Sequence, residues 1–120
     1  MSDNQKTHHF LNEWQEWKHL YHSDQLGNIT FQCERLLTNI LFTHKSFHSI
    51  KNHLKGFDQI PGTVMHPEEV WSYWQNPKKQ TVVLRNYIKE NYIVKTTDGE
   101  ITDAFLTDNI NRYRKGVILF

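Results

Sequence analysis

The spacing of apolar positions divides the chain into a helical first half and a strand-rich second half. Phe10, Trp14, Trp17 and Tyr21 recur at helical spacing and predict a helix from His8 to His22 with one aromatic stripe turned to a core. Asp24-Gln25-Leu26-Gly27-Asn28 reads as a turn. Ile29, Phe31 and Cys33 alternate with polar residues, which predicts a short strand. Leu36 to Phe42 fits a second strand by length and β-branching, and a helix is the alternative. Thr43 is placed to cap a helix running to about Lys55, with Phe47, Ile50 and Leu54 on its apolar face and Gly56 as its stop.

The connector Asp58-Gln59-Ile60-Pro61-Gly62-Thr63 is expected to be a loop. His66-Pro67-Glu68-Glu69-Val70-Trp71 reads as the start of a short helix that reaches about Trp74 and stops before Pro77. Pro67 suits a first helical position, and Glu68 and Glu69 suit the positive end of the dipole. Four strands are then predicted: Thr81 to Ile88, Tyr92 to Thr97, Ile101 to Thr107 and Tyr113 to Phe120. Asp98-Gly99 is a two-residue hairpin signal, and Asn109 and Asn111 belong to the last connection. Strands gathered after helices imply an α+β fold, with N-terminal helices packed on a four-stranded antiparallel C-terminal sheet.

Composition narrows the class. With 120 residues, 38% hydrophobic and 13% aromatic, the chain suits one packed domain over residues 1–120 rather than a disordered segment. No run approaches the roughly 18 apolar residues of a membrane helix. Met1-Ser2-Asp3-Asn4-Gln5-Lys6 lacks the apolar run of a signal peptide, so no membrane partner and a cytoplasmic site of action are expected. The single cysteine, Cys33, excludes an internal disulfide framework and a Cys-rich zinc site, and its alternating context marks it as a core residue.

Among eight histidines, His44 and His48 are four apart and His19 and His22 three apart, spacings that can hold zinc. No nearby carboxylate or cysteine completes either set, so no metal is expected. A phosphate loop, a dinucleotide fingerprint, a nucleophile elbow and a His-Glu-x-x-His helix are all missing from the sequence, and no cofactor is expected.

Net charge is +1, but the basic residues concentrate after Asn76, where Lys78, Lys79, Arg85, Lys89, Lys95, Arg112, Arg114 and Lys115 outnumber the acids. Such a half suits an anionic ligand. His53, near a predicted helix end between Lys51 and Lys55, is a candidate acid or base near neutral pH, with the two lysines able to hold a phosphate. Arg85 stands in an otherwise apolar strand, where a charge is costly unless paired or functional. An antiparallel sheet would gather Arg85, Thr102 and the run Arg112-Tyr113-Arg114-Lys115 on one surface. There cations would stabilise charge building on a phosphodiester while a histidine moved the proton. The competing readings are surface salt bridges for each Arg or Lys, plain β-propensity for Thr102 and a solvated helix end for His53.

The order of these pieces resembles a known family. His66-Pro67-Glu68-Glu69-Val70-Trp71 is similar to the "Pro-acid-Glu-Val-Trp" turn of the phage-associated barnase–EndoU–colicin–RelE (BECR) fold nucleases. In that family a His-bearing helix end comes first, here Phe47 to Lys55. A strand with a basic residue follows the turn, here Val83-Leu84-Arg85-Asn86-Tyr87-Ile88. A hairpin with a valine, turn, threonine-alanine-aromatic pattern comes next, here Ile93 to Phe105 with Asp103 between Thr102 and Ala104, and the pattern closes on Arg114-Lys115-Gly116-Val117-Ile118. The resemblance covers roughly residues 42–120, with a family-like core over 43–120 and residues 1–28 as a helical extension.

It implies a BECR-like fold and a metal-independent RNA endonuclease, a toxin or a phage or mobile-element effector, with RNA or transfer RNA as substrate. An immunity protein or antitoxin would be its partner. The 2′-hydroxyl would attack the adjacent phosphate and leave a cyclic phosphate and a free 5′-hydroxyl. By position, His53 would be the general base or acid, with His48 and His66 as alternatives. Arg85 and Lys115 would stabilise the phosphorane, Thr102 would bind a phosphate oxygen, and Arg114 and Tyr87 would position the strand, with Lys51, Lys55 and Arg112 as further substrate contacts. The alternative is a non-catalytic protein-binding module on the same fold, a phage inhibitor or immunity-type protein, which the near-neutral charge favours.

Overall fold

The computed structural model describes residues 13–52, 56–87 and 90–120. These residues form an α+β structure in which eight strands share one mixed sheet. The strands are β1 (His22–Ser23), β2 (Ile29–Cys33), β3 (Thr38–Phe42), β4 (Glu69–Asn76), β5 (Lys79–Tyr87), β6 (Asn91–Thr97), β7 (Glu100–Thr107) and β8 (Val117–Ile118). Their order is β1-β2-β3-β7-β6-β5-β4-β8. Neighbours are antiparallel except β3 and β7, which run parallel where Leu41 faces Glu100. The helices are α1, described over 13–20, α2 (His44–Lys51) and α3 (Ile60–Met65), with 3-10 turns at Phe57–Gln59 and Ile110–Tyr113. No helix among the described residues is long and apolar enough to cross a membrane.

The helices cover one face of the sheet. Trp14, Phe47, Ile50, Ile60 and Val64 join Phe31, Phe42, Val70, Leu84, Val94 and Ala104 in a single core cluster. Of the aromatic stripe, Trp14, Trp17 and Tyr21 belong to it or pack against it, Trp17 meeting Phe47 at 5.2 Å and Phe57 at 5.0 Å between ring centroids, while Phe10 lies outside the described residues. Each such buried side chain contributes about 1.5–3 kcal/mol. Thr43 caps α2 as its sequence predicts, its hydroxyl accepting from the Ser46 N–H at 3.2 Å. The Asp98-Gly99 hairpin forms with φ of 51° and 83°, the pair of left-handed residues that a twist-matched two-residue turn requires.

Four expectations change. The sheet has eight mixed strands rather than four antiparallel ones, because β2 and β3 join it through the β3–β7 contact, a long-range pairing that no local pattern encodes. The stretch expected as a loop before His66 is helical. Pro61 lies in the first turn of α3, where its missing N–H breaks no bond, and the Thr63 hydroxyl donates to the Gln59 carbonyl at 2.9 Å. The helix expected from His66 is instead the lead into β4. Val70 and Ser72 are buried while Glu69, Trp71 and Tyr73 are half-buried on the opposite face, a period of two that overrides the helix-start signals. The last strand shrinks to Val117–Ile118, because residues 108–116 leave β7, cross the sheet and reach β4 from its outer edge. α2 itself ends at Lys51 with Asn52 as its cap. Its expected extension to Lys55, the first residues of the first helix and Ile88 lie outside the described residues.

Candidate functional site

Residues on the face of the sheet opposite the helices line up by register. Glu69 on β4 pairs with Arg85 on β5, Arg85 with Ile93 on β6, and Ile93 with Phe105 on β7. Two residues along each strand, Trp71, Tyr87 and Asn91 share this face. The crossover after β7 then lays Tyr113 against Phe105, at 4.9 Å between ring centroids, and delivers Arg114 to Glu69.

Glu69 is the hub. Arg114 donates from Nε to Glu69 Oε1 at 2.7 Å and from Nη2 to Oε2 at 3.1 Å. Arg85 donates from Nη2 to Oε2 at 3.1 Å, and the indole Nε1 of Trp71 donates to Oε1 at 2.6 Å. Each guanidinium has a neutral second partner: Arg85 Nη1 reaches Asn91 Oδ1 at 3.1 Å, and Arg114 Nη1 reaches Asn111 Oδ1 at 2.9 Å. Glu68 Oε2 stands 4.0 Å from Arg85 Nη1. The side chains of Glu69 and Arg85 are each 14% exposed, so the bond between them forms where water screens little, whereas Arg114 is partly exposed. The Arg114 bonds, against the cost of burial and helped by Trp71 and Arg85, push the Glu69 carboxyl down to about 2. The same pairing raises Arg114. Arg85 Nε is buried without a hydrogen-bond partner, leaving donor capacity in hand.

The backbone around the hub is pinned. Glu68 N–H donates to the Arg85 carbonyl at 3.0 Å and to Asn86 Oδ1 at 2.7 Å, while Asn86 Nδ2 donates to the His66 carbonyl. Gly116 closes the crossover. Its φ is +78°, and a Cβ there would lie 2.1 Å from the Ser72 carbonyl oxygen, so only glycine lets the chain turn into β8 against β4.

The structure thus brings Arg85 and Arg114 together, with Tyr87 exposed beside them. Lys115 is exposed one residue on, its Nζ 6.0 Å from the Tyr73 ring centroid. Arg112 is exposed on the 3-10 turn before Arg114. Thr102 lies elsewhere, at the β7 bulge, with its hydroxyl 3.4 Å from the Lys95 carbonyl. Three residues along and two strands across, it is roughly 14 Å from Arg85 by strand geometry. Lys51 belongs to the helical side, paired with Glu13 at 3.3 Å and 5.0 Å above the Phe57 ring. His53 and Lys55 lie outside the described residues. His66 is exposed, with Nδ1 2.7 Å from Glu34 Oε2.

Glu69, Trp71, Asn91 and Asn111 were not among the candidates from sequence. The signal for the first two was present: Glu69, Trp71 and Tyr73 alternate with Val70 and Ser72. A cleft of about 280 Å³ between β3 and the far ends of β5 and β6 is lined by Leu36, Thr38, Asn39, Ile40, Gln80, Val82, Thr96, Gly99 and Leu119, none of them titratable. No family model, no curated protein and no solved structure matches the chain.

Proposed function

We propose that this protein is a BECR-like RNA endonuclease whose reacting centre is Glu69 with Arg85 and Arg114. The observation that carries the reading is one carboxylate shared by two guanidiniums on the open face of the sheet. Two fork-shaped cations suit the non-bridging oxygens of a phosphodiester and the extra charge of a phosphorane. In the free protein they also hold Glu69 at about 2, too low for an effective base. A phosphodiester that takes over their N–H groups neutralises them and returns proton affinity to Glu69. Its carboxylate then accepts the 2′-hydroxyl proton as that oxygen bonds to phosphorus. The P–O5′ bond breaks, the 5′-oxygen takes a proton from a general acid, and a 2′,3′-cyclic phosphate remains. The resemblance implies His53 as general base or acid, with His48 and His66 as alternatives; with Glu69 as the base, the acid's part falls to that histidine. Lys115 and Arg112 extend the cationic path, and Tyr87 offers a ring to an unstacked base.

A second reading, a non-catalytic protein-binding module, rests on the exposed apolar edge. Val117 (65% exposed) pairs with Ser72, and Trp74 (60%) follows two residues along β4.

The test is incubation of the purified protein with total cellular RNA, in EDTA and in magnesium, beside His53→Ala and Glu69→Gln. Discrete fragments in EDTA from wild type, lost in E69Q, support the reading; loss in H53A as well assigns the acid. Fragments from all three proteins remove both residues from the mechanism. Cleavage in magnesium alone overturns the metal-independent scheme. Intact RNA throughout, with protein verified as folded, leaves the binding module.

A further inference from the structure

We infer that Trp71 is a positioning residue that holds Glu69 in place when substrate draws the two arginines away. The inference rests on the reaction proposed above and adds a residue to it. Glu69 accepts four hydrogen bonds among the described residues, three of them from Arg85 and Arg114. Those three come from the groups a phosphodiester must engage. The fourth, from the Trp71 indole at 2.6 Å, is neutral.

The geometry separates the two sets of donors. Each guanidinium carries five N–H donors, and Arg85 Nε is unused, so an arginine can pivot toward an anion while keeping one anchor. Asn91 and Asn111 are those anchors. An indole has one donor, and Trp71 reaches Glu69 from two positions along the same strand, so its bond is fixed by β4 itself. Trp71 binds Oε1, whereas Arg85 binds Oε2. With the arginines turned to phosphate, Oε2 is freed for the 2′-hydroxyl and Oε1 stays tethered. Without the tether the carboxylate would follow the guanidiniums or rotate in the vacated space, and the near-attack geometry would be lost. The charged groups facing Glu69 are Arg85 from β5, Arg114 from the crossover and Glu68 from the turn before β4. Trp71 acts against that background without adding charge.

Two measurements test this. In the first, the four tryptophan indole N–H signals are followed by nitrogen-15 NMR, the Trp71 signal being assigned with Trp71→Phe or, if that variant does not fold, with Trp71→Tyr. The signal is expected downfield, shifted by E69Q, and retained downfield when inorganic phosphate or an uncleavable 2′-deoxy dinucleoside phosphate is added. Its return to the ordinary indole range on adding either probe overturns the inference, whether or not the protein cleaves RNA. In the second, W71F is compared with wild type on an RNA substrate. The expectation is a kcat lower by roughly tenfold, the worth of one charge-assisted hydrogen bond, with KM within about twofold. The acid limb of the pH–rate profile moves up, since the lost donor favoured the ionised carboxylate. A raised KM with an unmoved limb would assign Trp71 to substrate binding and refute positioning. A wild type that cleaves nothing defeats the nuclease reading and the positioning role with it, while the NMR result still shows whether the tether exists.

Discussion

Replacing Glu69 by glutamine removes one charge from the hub at nearly constant shape, and its effect can be worked from the structure. The carboxyl is pushed from 4.5 down to about 2 by Arg114, Trp71 and Arg85. At about 1.4 kcal/mol per pH unit this is an upper bound of roughly 3.5 kcal/mol, and screening around the partly exposed Arg114 reduces it to about 1–2 kcal/mol. The Arg85 contact, between side chains each 14% exposed, is part of that figure, so a loss of about 1–2 kcal/mol at neutral pH is expected. The sign follows from the direction of the shift. The folded carboxyl is harder to protonate than the unfolded one, so its contribution is complete above about pH 4.5 and is lost as pH falls toward 2. Urea unfolding followed by tryptophan fluorescence at pH 7, 4.5 and 3 should therefore show a gap between wild type and E69Q that narrows with acid. Asp24 and Glu34, also depressed, titrate in both proteins and cancel in the difference. Inorganic phosphate should raise the E69Q midpoint more than that of wild type, because the guanidiniums have lost their internal competitor. A gap that stays constant down to pH 3, or is absent at pH 7, would refute the account of Glu69 as the ionic hub.

Other substitutions probe neighbouring parts. Gly116→Ala, with its Cβ forced 2.1 Å from the Ser72 oxygen, should cost more than about 2 kcal/mol in a thermal melt and speed hydrogen exchange along β4 and β8. Arg114→Lys keeps the charge but loses the two-pronged grip on Glu69, so under the proposed reaction RNA cleavage should fall about a hundredfold, nearly as far as in Arg114→Ala. Thr43→Ala should cost about 1 kcal/mol by urea unfolding, since it deletes the α2 cap, and should leave cleavage unchanged.

Local rules were readable wherever one residue carried them. Thr43 announced its helix, Asp98-Gly99 its hairpin, and Arg85 its oddity within an apolar strand. Two of the misreadings arose where two local rules competed, and the others, the size of the sheet and the short last strand, where a non-local pairing decided. Pro67, Glu68 and Glu69 satisfy the start of a helix, yet the alternation from Glu69 to Tyr73 satisfies a strand, and burial of Val70 in the core and of Ser72 on the same face decides for the strand. Pro61-Gly62 has the composition of a turn, but a proline in a first helical turn obstructs nothing. The candidate site was half legible. Arg85 and Arg114 could be named, but their common partner could not, because Glu69 meets Arg85 by strand register and Arg114 through a crossover 45 residues away in sequence. Thr102 matched a motif, and the bulge at its position sets it apart from the cluster.

The parallel contact between β3 and β7 has a consequence for how the chain is made. Synthesis releases the β2–β3 hairpin early, with Leu41 presenting an edge whose partner, Glu100, emerges much later. Until then the hairpin is an open template, and its aromatic underside lacks the sheet strands that complete the core. Completing the core therefore waits on a non-local pairing, which forms more slowly than the hairpins on either side of it. A nick between the hairpin and the later meander should leave two pieces that remain unfolded apart and assemble when mixed.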